Sequence, residues 1–113
     1  MVRNYGELVS AMTDWQAGDV SAIPPGRVGV FFVGDREIAV CNVDGEFFAI
    51  DNICTHDGGS LDQGELEGRE IECPRHGARF DVTTGAAIQL PAFEPVESYP
   101  VRIEGDTIVV EVE

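Results

Sequence analysis

The chain has 113 residues, 43% of them hydrophobic and 25% charged, and carries 21 Asp and Glu against 7 Lys and Arg for a formal net charge of −14. This length supports one domain around one core, residues 1–113, and the charge argues against nucleic acid or an anionic membrane surface as partner. No apolar run approaches the ~18 residues of a membrane helix, and the opening residues lack the apolar stretch of a secretory signal. The expectation is a cytoplasmic monomer with no membrane partner, whose acidic field favours a protein with a basic docking patch.

In chain order, Asn4 and Glu7 form a potential capping box for a short helix through Met12. Residues 15–23 can instead open the domain as a first strand, ended by Pro24-Pro25-Gly26. A β-branched and aromatic run over 28–33 reads as a strand that turns at Gly34-Asp35 into a second strand over 37–43. Asp44-Gly45 is a strong hairpin signal and leads into a third strand over 47–50. This meander runs directly into Cys54.

Leu61, Leu66 and Ile71, spaced by Gly64 and Gly68, read as turn, short strand, turn, short strand. Residues 78–82 form a strand that stops at Thr84-Gly85. Two prolines exclude a helix interior over residues 90–95 and predict a stiff loop. Residues 99–103 and 107–112, joined by Gly105-Asp106, make a closing hairpin. The whole pattern is all-β.

Three cysteines are an odd number, which in this setting favours metal binding over a disulfide framework. Cys41 lies in the apolar run Ile38-Ala39-Val40-Cys41 and reads as a small buried hydrophobe. The other two fall in Cys54-Thr55-His56 and Cys73-Pro74-Arg75-His76, and 16 residues separate the two runs. Two thiolates and two imidazoles suit iron or zinc better than magnesium or calcium. Each run supplies one ligand of each kind, so both sulfurs can bind one metal ion and both nitrogens another. A tetrahedral Cys2His2 zinc site in a structural or interaction module is the alternative, although zinc sites usually pair like ligands along the chain.

The spacing C-x-H followed by C-x2-H, with Thr55, Leu61, Gly64, Pro74, Gly77, Phe80 and Asp81 around it, resembles the Rieske [2Fe–2S] family. The resemblance implies a small antiparallel β-sandwich or barrel with a cluster-binding subdomain of two loops, about residues 52–83, and one cluster per chain. It implies Cys54 and Cys73 on an inner iron, His56 and His76 on an outer iron, and residues 90–95 as a loop covering the cluster. Respiratory members place a disulfide-forming cysteine in each loop, where this chain has Gly59 and Arg75. They also place a serine and a tyrosine hydroxyl near the cluster, where this chain has Ala78 and Phe80. At about 1 kcal/mol per hydrogen bond, losing both donors lowers a one-electron potential by on the order of 100 mV. Asp57 beside His56 pushes the same way, although Asp57-Gly58-Gly59 is also good turn chemistry.

The family resemblance thus implies an electron-transfer protein rather than an enzyme. It resembles the ferredoxin component of ring-hydroxylating dioxygenase systems, which takes electrons from a flavin-containing NAD(P)H reductase and passes them to a terminal oxygenase. A small subunit of an assimilatory nitrite reductase is the competing member of the same fold.

Overall fold

The computed structural model describes residues 13–55 and 58–112. The helix expected before Met12 lies outside these residues. The described chain forms eleven strands in three antiparallel sheets, with two single-turn 3-10 segments at Val20–Ala22 and Leu61–Gln63. The first sheet has the order β1-β11-β10, built from β1 (Thr13–Asp19), β10 (Val101–Glu104) and β11 (Thr107–Val112). The second has the order β2-β3-β4-β9, from β2 (Val28–Val33), β3 (Arg36–Val43), β4 (Glu46–Asp51) and β9 (Ser98–Tyr99). The third runs β5-β6-β7-β8, from β5 (Leu66–Glu67), β6 (Glu70–Glu72), β7 (Arg79–Asp81) and β8 (Ala87–Gln89).

The predicted meander is β2-β3-β4. Asp44 and Gly45 both hold positive φ, at 52° and 95°, the backbone that a tight hairpin turn with right-handed strand twist requires. Strand β3 is buried from Ile38 through Val43, without alternation. The reason is that each of its faces meets a different core. Ile38 and Val40 face one cluster with Ile23, Ala49, Ile108, Val110 and Val112. Ala39, Cys41 and Val43 face the other, which contains Ile50, Leu61, Ile71, Phe80 and the two motif cysteines. Between them Asn42, 4% exposed, donates from Nδ2 to the Ile23 carbonyl at 2.7 Å and accepts at Oδ1 from the Gly45 N–H at 2.7 Å. A buried amide is tolerated there because both of its ends are satisfied.

The closing strand expected over 99–103 divides at Pro100. Tyr99 pairs with Ala49 in the second sheet, whereas Val101 pairs with Val110 in the first. Proline has no N–H to give to a ladder, so the chain changes sheets there. The expected turn at Leu61 is a 3-10 turn, followed by the short strands β5 and β6, and β8 lies in a segment with no strand pattern of its own. The loop over residues 90–95 is irregular, with a cis Leu90-Pro91 bond.

Candidate metal centre

Strand β4 delivers Cys54, and the β6–β7 connection delivers Cys73. Both thiols are 1% exposed and pack in the cluster that holds Leu61, Ile71, Ala78, Phe80 and Val82. His76 is exposed on its loop, and His56 and Asp57 lie outside the described residues. No disulfide involves Cys41, Cys54 or Cys73. Gly59 and Arg75 hold the positions where a loop-to-loop disulfide would need cysteines.

The two motif loops share one backbone frame. In the first, the Cys54 N–H donates to the Gly59 carbonyl at 2.7 Å, and the Gly58 N–H donates to the Cys54 carbonyl at 2.8 Å. In the second, the Cys73 N–H donates to the Ala78 carbonyl at 2.7 Å, and the Gly77 N–H donates to the Cys73 carbonyl at 3.1 Å. Each cysteine therefore donates five residues ahead and accepts from four residues ahead. The fourth residue is glycine in both loops, with φ of 77° at Gly58 and 80° at Gly77, a conformation that costs glycine little. Histidine falls two residues after the cysteine in one frame and three after it in the other.

Further contacts fix the two frames relative to one another. Thr55 Oγ1 donates to the Glu94 carbonyl at 2.7 Å and ties the first loop to the proline-containing loop. Asn52, 5% exposed, donates to Asp62 Oδ1 at 2.7 Å and accepts from the Asp62 N–H at 2.8 Å, with a longer contact to Glu37 at 3.3 Å. It clamps the end of β4 to the 3-10 turn that follows the first loop. Gly64 approaches the second loop so closely that a Cβ there would lie 1.6 Å from the Glu72 carbonyl oxygen. Arg79, leaving the second loop, is held by Glu67 at 2.7 Å, Glu72 at 2.9 Å and Glu70 at 3.4 Å. Of these positioning residues, sequence reading singled out only Thr55 and Gly64. The others gave no signal, because their roles are set by partners distant along the chain.

The donor set fits a mixed sulfur and nitrogen cluster. Two thiolates buried in an apolar core are costly unless positive charge accompanies them, and metal-bound thiols are deprotonated outright. Among the described residues, which leave out His56, no three Cys, His, Asp or Glu side chains group closely enough to hold a metal ion. Two buried cysteines in one apolar core and an exposed histidine on the second loop fit a two-loop Cys/His iron–sulfur domain on a β scaffold.

Residues 14–100 match the family of the Rieske [2Fe-2S] domain. The chain belongs to that family, and its cofactor is a Rieske-type [2Fe–2S] cluster. A naphthalene 1,2-dioxygenase system ferredoxin component of Pseudomonas aeruginosa is 46% identical over 89 residues, covering 79% of this chain and 86% of that protein. The ferredoxin of carbazole 1,9a-dioxygenase from Nocardioides aromaticivorans IC177 superposes with a TM-score of 0.83 at 37% identity, over 87% of this chain and 96% of that one. A chain from a complex of reduced oxygenase and oxidized ferredoxin in carbazole 1,9a-dioxygenase gives a TM-score of 0.82 at 33% identity, over 86% and 91%.

Proposed function

We propose that this chain is a cytoplasmic, low-potential one-electron carrier that moves electrons from a flavin-containing NAD(P)H reductase to a terminal oxygenase. Cys54, His56, Cys73 and His76 hold the cluster, within a subdomain of about residues 52–83. The observation that carries this reading is the pair of matched loop frames, which hold two buried thiols in one apolar core. Ferredoxin components of dioxygenase systems among the relatives support the same role, and a structure pairing such a ferredoxin with its oxygenase supports the acceptor class.

When bound, the cluster supplies a reversible one-electron site. The chain's own residues shape its surroundings. Cys54 and Cys73 are shielded from water by Leu61, Ile71, Ala78 and Phe80. Ala78 and Phe80 bring no hydroxyl toward the sulfurs, so the reduced state lacks those two donors. His76 is exposed, and the nearby proline-containing loop presents Leu90 and Phe93, 65% and 82% exposed. An exposed imidazole edge flanked by apolar side chains suits brief docking of a protein partner.

The test is reconstitution. The purified protein should be coloured, show a Rieske EPR signal on reduction, and accept electrons from NAD(P)H only when a flavin reductase is added. Its midpoint should fall near the lower end of the Rieske range, about −150 mV. Cys54→Ser and His76→Ala should abolish the signal. A colourless, EPR-silent protein would remove the carrier role, and a midpoint above about +100 mV would remove its low-potential form.

A further inference from the structure

Edge strands expose unpaired backbone groups, and folded proteins usually blunt them with charge, proline, bulges or shortness. Five of the six edges among the described residues follow this rule. Strand β1 carries Asp14 and Asp19 and a register shift between Gln16 and Gly18. Strand β10 carries Arg102 and Glu104. Strands β5, β8 and β9 are two or three residues long. Strand β2 departs from it. It is the six-residue run Val-Gly-Val-Phe-Phe-Val, without charge, proline or register shift. Val30 and Phe32 are 37% and 64% exposed on it.

The direction of the β2 backbone follows from two hydrogen bonds. The Asn42 N–H donates to the Arg27 carbonyl at 3.0 Å, and the Asn52 N–H donates to the Glu37 carbonyl at 2.9 Å. With the β2–β3–β4 register, these bonds turn the backbone groups of Gly29, Phe31 and Val33 toward β3. The N–H and C=O groups of Val28, Val30 and Phe32 point away from the sheet. The residues with outward backbone groups therefore include both exposed side chains.

We propose that β2 is the interface of a reversible homodimer, in which two copies of β2 pair antiparallel about Phe31. This register sets Val30 against Phe32 of the partner copy, so each exposed pair exchanges both of its backbone bonds. It also brings Arg27 at one end of the strand opposite the Gly34-Asp35 turn of the other copy, a complementary charge contact made twice by symmetry. A shift of two residues keeps the face and loses that contact, and a shift of one turns the wrong backbone groups and side chains inward. The occupant is thus specified by self-complementarity of shape, backbone polarity and charge. The net charge of −14 on each copy opposes association, so the dimer forms as salt screens that repulsion. At low ionic strength the carrier is a monomer.

Sedimentation equilibrium of the cluster-loaded protein tests this. Association should strengthen from low to about molar salt. Phe32→Lys should weaken it by on the order of tenfold or more while leaving the visible spectrum unchanged. Compared at about 0.15 M salt, before the pair itself is screened, Arg27→Asp should weaken association by roughly fivefold, and adding Asp35→Arg should restore it. Amide exchange at Val30 and Phe32 should slow with protein concentration, while Gly29 and Phe31 stay protected at every concentration. A monomer at all salt concentrations overturns the proposal, as does a dimer indifferent to Phe32→Lys or a swap that fails to rescue. Concentration-independent protection of Val30 and Phe32 overturns it as well, since another segment of the chain would then cover the edge.

Discussion

Cys41 and the two motif cysteines share one apolar core, yet their chemistry separates. Burial pushes the Cys41 thiol up from 9.0 to about 12, so it stays protonated and serves as packing. An unfolded chain ionises the same thiol near its ordinary value. The folded state therefore binds more protons in alkali, and stability is full below about pH 9 and lost as pH rises toward 12. Cys41→Ala should be less stable at neutral pH because of the cavity, but with a shallower alkaline decline in melts between these limits. A parallel decline in both proteins would show that the thiol plays no part. Tyr99 pushes the same way, since burial and its hydrogen bond to Asp51 raise its phenol above the usual range.

At the scale of elements, the first ligand loop depends on how β4 ends. Asn52 makes two bonds to Asp62 and a longer one to Glu37, so its amide joins β3, β4 and the 3-10 turn at one buried point. Asn52→Leu should cost about 1–3 kcal/mol and quicken loss of the visible chromophore on mild heating. Asn52→Asp should cost more, because it sets a third carboxylate against Glu37 and Asp62. Equal chromophore lifetimes in wild type and Asn52→Leu would show that the clamp does not support the loop. The amide had no sequence signature, whereas the hairpins did. The β2–β3–β4 meander was legible because long apolar strands and an Asp-Gly turn carry their own pattern. Strands β8 and β9 were not legible because pairing partners, rather than local preference, define strands of two or three residues. Cys54 and Cys73 stood out because few residue types bind iron, and the structure brings both into one core; His76 is exposed on its loop and His56 lies outside the described residues. The Thr55–Glu94 tether was not, since its ends are 39 residues apart.

For the whole molecule, the charge is carried in an unusual way. All seven cations are arginine, and the chain has no lysine. Two of the arginines are committed to carboxylate hubs: Arg79 to Glu67, Glu70 and Glu72, and Arg102 to Asp14, Glu104 and Glu111. Arginine suits such hubs because its planar fork binds several oxygens at once. The remaining acidic surface is the candidate docking field for a basic partner. Electron delivery to a basic acceptor should slow as ionic strength rises, because screening weakens long-range attraction. Stopped-flow oxidation of the reduced protein at increasing salt measures this. A salt-independent rate would show that the acidic field does not guide the encounter. With no lysine available, a carboxylate–amine coupling reagent should join this chain to its partner through the partner's lysines, which locates the basic patch directly.

Pro100, where the chain leaves one sheet and enters the next, bears on how the protein comes apart. Ser98 and Tyr99 complete the β2–β3–β4 sheet, and Val101 begins the pairing that closes the β1–β11–β10 sheet. Neither sheet can shed its last strand without pulling on the other. Local opening on one side is therefore felt on the other, and the two sheets share one cooperative unit of exchange and unfolding. The third sheet shares no strand with the other two, but it carries the second ligand loop between β6 and β7 and packs against β3 and β4 in the core that holds both motif cysteines. Opening the third sheet exposes that shared core, so cluster loss is coupled to loosening of the β3–β4 face of the scaffold rather than independent of it.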